Sequence, residues 1–207
     1  LRKLCKDMKP WVALGGLQSL EEFVESEIST LEEFETNFKM VKKRVKQAEK
    51  LPDFHKIECV NVSAGPFKAA VDDQLNQLNN QLIASLRKDL DKNVTEIETF
   101  LGGAEAMLQK KPESIEEIGA LKKEWNKISE EKKNIKSKRK VCEQQLKLLL
   151  SAAGNRANLG DIRERLSNFT NGWVEFEGSM EEFNGMIEEQ REGLKAQVDG
   201  SVQSCRE

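Results

Sequence analysis

Residues 114–150 read SIEEIGALKKEWNKISEEKKNIKSKRKVCEQQLKLLL, and this stretch decides the fold. Ser114-Ile115-Glu116-Glu117 is a capping box, in which a serine hydroxyl accepts the amide three residues on and a glutamate reaches back to the cap amide. Behind it Ile118, Leu121, Trp125, Ile128, Lys132, Ile135, Arg139, Cys142, Leu146 and Leu149 recur at alternating steps of three and four. A half-buried strand repeats every two residues and a lone amphipathic helix every 3.6. An unbroken alternation of three and four specifies a helix that lays a seam along another helix. Lys132 and Arg139 are polar insertions in that seam.

The second arm follows directly. Asp161 is placed to cap it, and Ile162, Leu166, Phe169, Trp173, Phe176, Met180, Phe183, Ile187, Leu194 and Val198 supply its seam. Gly154 suits the position just past the end of the first arm. The short link at 154–160 predicts an antiparallel helical hairpin over 114–200, with Trp125 and Trp173 in its core. Folding about residue 157 with equal rise in both arms sets residues 132–140 opposite 174–182. That register faces Lys132, Lys133, Lys136, Lys138, Arg139 and Lys140 toward Glu175, Glu177, Glu181 and Glu182.

Upstream, Lys111-Pro112 closes a very long helix expected over 66–110, with Pro66 as its first residue, where a missing N–H costs nothing. Its stripe runs Phe67, Val71, Leu75, Leu78, Leu82, Leu86, Leu90, Val94, Ile97, Leu101, Ala104 and Leu108. Gly102 and Gly103 weaken it by roughly 1 kcal/mol each relative to alanine and are the expected bend points. Residues 51–65 alternate polar with β-branched side chains from His55 to Val62 and read as one extended crossover lying along the bundle. Residues 1–50 form a helical segment ending at Leu51-Pro52. Within it, residues 1–14 are the tail of an amphipathic helix kinked or restarted at Pro10 and broken at Gly15-Gly16, and a second helix runs from a capping box at Ser19-Leu20-Glu21-Glu22 to about Lys50. The stripe of that second helix, Val24, Ile28, Leu31, Phe34, Phe38, Val41, Val45 and Ala48, has one local slip. Its acids come early and its bases late, which complements the helix dipole and needs no ligand to explain it. The fold class is therefore all-α: an elongated bundle of long antiparallel helices with one extended crossover segment.

Composition bounds the function. The 207 residues hold 33 Lys and Arg against 36 Asp and Glu, a net charge of −3. Mixed charge at 33% suits long exposed helices, and no apolar run is long enough for a membrane span. Cys5, Cys59, Cys142 and Cys205 lie far apart, with neither metal-ligand nor disulfide-framework spacing, and read as reduced thiols. His55 is the sole histidine, in a polar stretch, and no G-x-x-x-x-G-K-[ST] or G-x-G-x-x-G occurs. These features argue against catalytic, cofactor-binding and metal sites in this segment. The first residue is Leu1, so the segment reads as part of a longer chain.

The basic run at Lys132, Lys133, Lys136, Arg139 and Lys140 has three readings: pairing within the chain or a solvated face, a contact for an acidic protein partner, and a contact for nucleic acid. The net acidic surroundings and the absence of tyrosine disfavour the last. Gly172, Gly178, Gly185, Gly193 and Gly200 fall outside the last helix's seam, as tolerated surface positions or as a face for close helix packing.

Particular residues extend the reading. Ala48-Glu49-Lys50-Leu51-Pro52 and Val62-Ser63-Ala64-Gly65-Pro66-Phe67-Lys68-Ala69, followed by Asp72-Asp73, begin a collinear series. Ser85-Leu86-Arg87-Lys88, Lys111-Pro112-Glu113-Ser114-Ile115-Glu116-Glu117-Ile118-Gly119 and Leu148-Leu149-Leu150-Ser151-Ala152-Ala153-Gly154 continue it, with Trp173 before an acidic Met/Phe-rich helix. Over about residues 11–200 this series resembles the tail of dynein heavy chains, particularly the intraflagellar-transport class. Gly178, Asn184 and Gly185 depart from the regular last helix of that pattern. The resemblance implies a motor-proximal tail segment of an ATP-driven microtubule motor, with ATP and magnesium sites downstream of Glu207. It implies a second heavy chain, intermediate, light intermediate and light chains, and the intraflagellar transport train as partners, in cytoplasm and cilium. Nucleic acid and membrane insertion are not implied. An axonemal dynein stem and a spectrin-like tethering scaffold are the alternatives, the latter lacking the repeat period it requires.

Overall fold

Helix formation follows the seams. In a computed structural model, residues 17–57, 59–112, 114–153 and 159–204 are described. The expected helix at 1–14, the Gly15-Gly16 break, Gly154, Cys5 and Cys205 lie outside them. The elements are α1 (Leu17–Glu27), α2 (Leu31–Glu49), β1 (Phe54–Ile57), β2 (Val60–Ser63), α3 (Gly65–Leu108), α4 (Ile115–Ala153) and α5 (Gly160–Ser204). The chain divides into two compact units, Leu1–Leu90 with Gln145–Ala157, and Asp91–Gln144 with Asn158–Glu207.

In the first unit, the single helix expected from Ser19 to Lys50 is two. α1 ends at Glu27 and α2 restarts behind Thr30, whose hydroxyl accepts the Glu33 amide at 3.3 Å while the Glu33 carboxylate accepts the Thr30 amide at 2.8 Å. This is a full capping box, and it sits at the slip in the stripe, where two consecutive steps of three rotate the apolar face. Breaking the helix there lets Val24 and Ile28 on one side and Phe34, Phe38, Val41 and Ala48 on the other all be buried. Lys88 of α3 pairs with Glu25 of α1 at 3.0 Å, and Lys42 of α2 donates to the Ser151 carbonyl of α4 at 3.3 Å. The inner stripe of α3 is fully enclosed, with Leu82, Leu86 and Leu90 at 0% exposure.

The segment expected as a single extended crossover is a hairpin. β1 and β2 pair antiparallel, Phe54 opposite Ser63 and Ile57 opposite Val60. The β-branched alternation marked strand correctly, but each strand finds its partner in the other half of the same run. The Ala64 amide on the Asp53 carbonyl (2.8 Å) and Lys68 on the Asp53 carboxylate (2.7 Å) fasten the hairpin's base to the start of α3. Phe54, Val60 and Val62 stay exposed.

The second unit is a three-helix bundle. α4 runs antiparallel to α3, with Lys110 at 3.9 Å from Glu124 and Lys138 bonded to Glu96. α5 then turns back parallel to α3, bringing Phe176 edge-on to Phe100 at 5.7 Å. Met107, Ile118, Leu121, Phe183 and Ile187 form a buried cluster at one end, with Trp125, Ile128 and Leu194 against it. Ser114 accepts the Glu117 amide at 3.2 Å, as its capping box requires. Two expectations for α5 are corrected. The helix starts one residue before Asp161, with Arg163 donating to the Leu159 carbonyl, so Asp161 lies in the first turn, where it favours the dipole without capping. Val198 is 51% exposed because Leu194 is the last α5 residue packed on the cluster. Among the described residues, no helix is long and apolar enough to cross a membrane.

α3 continues unbroken through Gly102 and Gly103, and a Cβ built at either meets nothing within 4 Å. No packing demands glycine there. Replacing both with alanine is expected to raise the unfolding free energy by about 1 kcal/mol per site, read as a higher thermal midpoint by circular dichroism.

Candidate partner interface

The basic run of α4 is divided by its position on the helix. Seam geometry turns Lys132, Lys138 and Arg139 toward neighbouring helices. Lys132 Nζ lies 2.9 Å from Glu177 Oε1, Lys138 holds Glu96, and Arg139 bonds Glu143 Oε1 at 3.1 Å and Thr170 Oγ1 at 3.0 Å. The Arg139 guanidinium also covers the Phe169 ring at 5.4 Å, which explains how a cation occupies a seam position. Lys133, Lys136 and Lys140, spaced three and four apart, share an exposed stripe flanking that seam. The five residues singled out in sequence are thus two groups, one tied inward and one open to solvent.

The register between α4 and α5 differs from the equal-rise expectation. Lys122 meets Glu188, Lys132 meets Glu177 and Arg139 meets Thr170, so residue 132 lies opposite 177 where 182 was expected. Side-chain interlocking sets this offset. The Trp125 indole N–H donates across to the Met180 carbonyl of α5 at 3.2 Å, with Lys122 over its ring at 4.6 Å, while Trp173 packs between Phe169 and Phe176 of its own helix at 5.4 Å from each. Large rings fit few holes in a seam, and they outweigh the symmetry of the turn.

An unanticipated clamp joins α3 to α5. Arg165 donates to Glu98 through Nε at 2.8 Å and Nη2 at 2.6 Å, to Asp91 through Nη1 at 2.5 Å, and to Thr95 Oγ1 at 3.0 Å. Asp91, Thr95 and Glu98 follow one another at steps of four and three, so one stripe of α3 was legible as polar. Its partner on α5 was not, because the α3–α5 register cannot be read from either helix alone.

Electrostatics follow from these contacts. The Lys132 hydrogen bond, then its charge, the Trp173 indole and the Lys136 charge hold Glu177 below the usual carboxylate range. Lys138 does the same to Glu96, and Arg165 to Glu98. A carboxylate depressed in the folded state contributes stability that is complete above its unfolded value of 4.5 and is lost as pH falls through the lower folded value. The thermal midpoint is therefore expected to fall on acidification from about pH 5 to about pH 3. Arg165→Met should cost about 1 kcal/mol at neutral pH, since both carboxylates are well exposed and screened by solvent, and make that acid slope shallower, because Glu98 returns toward its ordinary value. An unchanged slope in a pH series of melts would contradict the clamp.

Cys142 is fully buried on α4, and desolvation pushes its thiol up to about 11, which fits a packing role, while Cys59 is exposed. Among the described residues, no group of three or more His, Cys, Asp or Glu is placed to hold a metal ion. On α5, a Cβ built at Gly172 would lie 4.0 Å from the Leu101 side chain, whereas one at Gly178, Gly185, Gly193 or Gly200 meets nothing within 4 Å. Within the chain these four are open surface positions.

A family model described as dynein axonemal heavy chain 2/5/8 coiled-coil matches residues 80–201. Cytoplasmic dynein 2 heavy chain 1 of Homo sapiens is 33% identical over 195 residues, 94% of this chain and 4% of that protein. The Tripneustes gratilla protein of the same name is 33% identical over 206 residues, 100% of this chain and 5% of its own length. That of Chlamydomonas reinhardtii is 28% identical over 201 residues, 97% of this chain and 5% of its own. The chain spans about one twentieth of the length of these relatives.

Proposed function

The chain belongs to the dynein heavy chain family, and from that premise we propose that it is a non-catalytic, load-bearing tail segment of a heavy chain of the cytoplasmic dynein 2 type, serving retrograde intraflagellar transport. The observation that carries this reading is the match along 94–100% of the chain to proteins named cytoplasmic dynein 2 heavy chain 1. Long helices locked by seams and ion pairs suit the transmission of force, since an axial load is spread over many backbone hydrogen bonds and interlocked side chains. Gly102 and Gly103 soften α3 near its end and serve as bend points under that load. ATP turnover belongs to the parent's motor domain outside this segment.

The exposed Lys133, Lys136 and Lys140, with Lys132 and Arg139 behind them, form a surface for an acidic partner. The partners of this reading are an accessory chain (intermediate, light intermediate or light), a second heavy chain and a train component. The test expresses the complete heavy chain carrying Lys133→Glu, Lys136→Glu and Lys140→Glu in ciliated cells. Loss of an accessory chain from the purified complex, with trains stalled at the ciliary tip, is expected. Full accessory-chain recovery with normal return of trains would exclude this surface. The axonemal wording of the matching family model favours a second reading, an axonemal stem, in which the same variants would disturb beating and leave trains moving.

A further inference from the structure

The second unit carries a furrow that three helices leave unfilled. α3 and α5 run side by side near the end of α3, and between them lie two adjoining clefts of about 370 and 100 Å³. Both are bordered by Glu105, Leu108 and Ser179, so they form one continuous trough. Its floor is apolar: Leu101 and Leu108 from α3, Phe176, Phe183 and Met186 from α5. Gly172 lines one end, where an added Cβ would stand 4.0 Å from the Leu101 side chain.

The rims are acidic on both sides. Glu105 stands on the α3 bank, and Glu175 and Glu182, one heptad apart, on the α5 bank. All three are exposed, and among the described residues none is in an ion pair. The nearby cations are committed elsewhere, Lys110 to Glu124, Arg165 to Asp91 and Glu98, and Arg191 to Glu188. An apolar trough between two parallel helices, flanked by free carboxylates, is complementary to a helix with the opposite dress.

We propose that this α3–α5 furrow is the docking site for a basic amphipathic helix of another protein, apolar on the face that enters the trough and bearing lysine or arginine on both flanks. The bound helix makes a fourth member of the bundle. The stretch of α5 from Gly172 to Met186 spans about 21 Å, so about four turns of partner helix are engaged. Among the described residues, the exposed basic stripe of a second copy at Lys133, Lys136 and Lys140 does not fit the trough, because it has Ser137 and Gln144 where an apolar seam is needed. The inference rests on this unit's geometry and is independent of the family reading.

The test titrates the 207-residue chain into a fluorescein-labelled helical peptide of about 14 residues, leucine on one face and lysine on the flanks, by anisotropy. The comparison peptide has every lysine replaced by glutamate. The lysine peptide is expected to bind, and Glu105→Lys with Glu175→Lys and Glu182→Lys is expected to weaken it at least about tenfold while admitting the glutamate peptide. Ser179→Trp, which fills the trough and leaves the charge intact, is expected to abolish binding of the lysine peptide. Circular dichroism establishes that each variant is folded, and Ser179→Trp decides the question where the triple variant is not. Equal binding of the two peptides to the unaltered chain, or undiminished lysine-peptide binding by Ser179→Trp, overturns the proposal. So does concentration-dependent self-association that Ser179→Trp removes, since a second copy would then occupy the furrow.

Discussion

Trp173→Ala is expected to lower the unfolding free energy by about 3–5 kcal/mol, the largest loss from any single truncation in the second unit. The indole is 6% exposed and in ring contact with both Phe169 and Phe176, which in turn meets Phe100 of α3. Removing it opens a cavity at the junction of the seam, where helix backbones cannot close in without shifting register. Trp173→Phe, which keeps an aromatic ring in the same hole, should retain most of the stability. Urea unfolding followed by far-ultraviolet circular dichroism measures both. A loss below about 0.5 kcal/mol, the range of ordinary surface substitutions, would mean that the ring is not enclosed.

Leu86→Ala should cost about 2–5 kcal/mol in the first unit. Leu86 has 0% exposure at the middle of a stripe that includes Leu75, Leu78, Leu82 and Leu90, so its removal leaves a void with close-packed walls. The neighbouring Arg87 is exposed, and Arg87→Ala should stay within about 0.5 kcal/mol of the unaltered chain. The contrast between adjacent positions in the same unfolding experiment isolates burial from helix propensity. Similar losses at both would contradict the assigned face of α3.

The seams were the most legible part of the molecule, because a period near 3.5 is a local property that survives any tertiary arrangement. Phe169, Trp173, Phe176, Met180, Phe183 and Ile187 are all buried as their spacing requires. Relations between elements were less legible. The pairing of Lys132 with Glu177 depends on where the Trp125 ring meets α5, information held jointly by two helices. The split between α1 and α2 was visible as a slip at Ile28–Leu31–Phe34, and Thr30 with Glu33 was an available capping box. Good helix formers flank it on both sides and mask it in the sequence. In the β-hairpin, eight alternating residues could have been one strand or two, and only the reversal between Ile57 and Val60 distinguishes them.

The candidate surface was legible as composition but not as geometry. A run of lysines and one arginine marks charge, whereas helix phase decides that Lys132, Lys138 and Arg139 turn inward and Lys133, Lys136 and Lys140 outward. The acidic furrow was harder still, since Glu105 and Glu182 are far apart in sequence and meet only across the α3–α5 crease.

The most direct test of the functional account is removal of this segment from the complete heavy chain in ciliated cells, with retrograde train velocity and ATP turnover by the purified motor measured together. The account predicts that ATP turnover is retained while trains reach the ciliary tip and fail to return. Loss of ATP turnover, or normal retrograde movement with impaired beating, would contradict it.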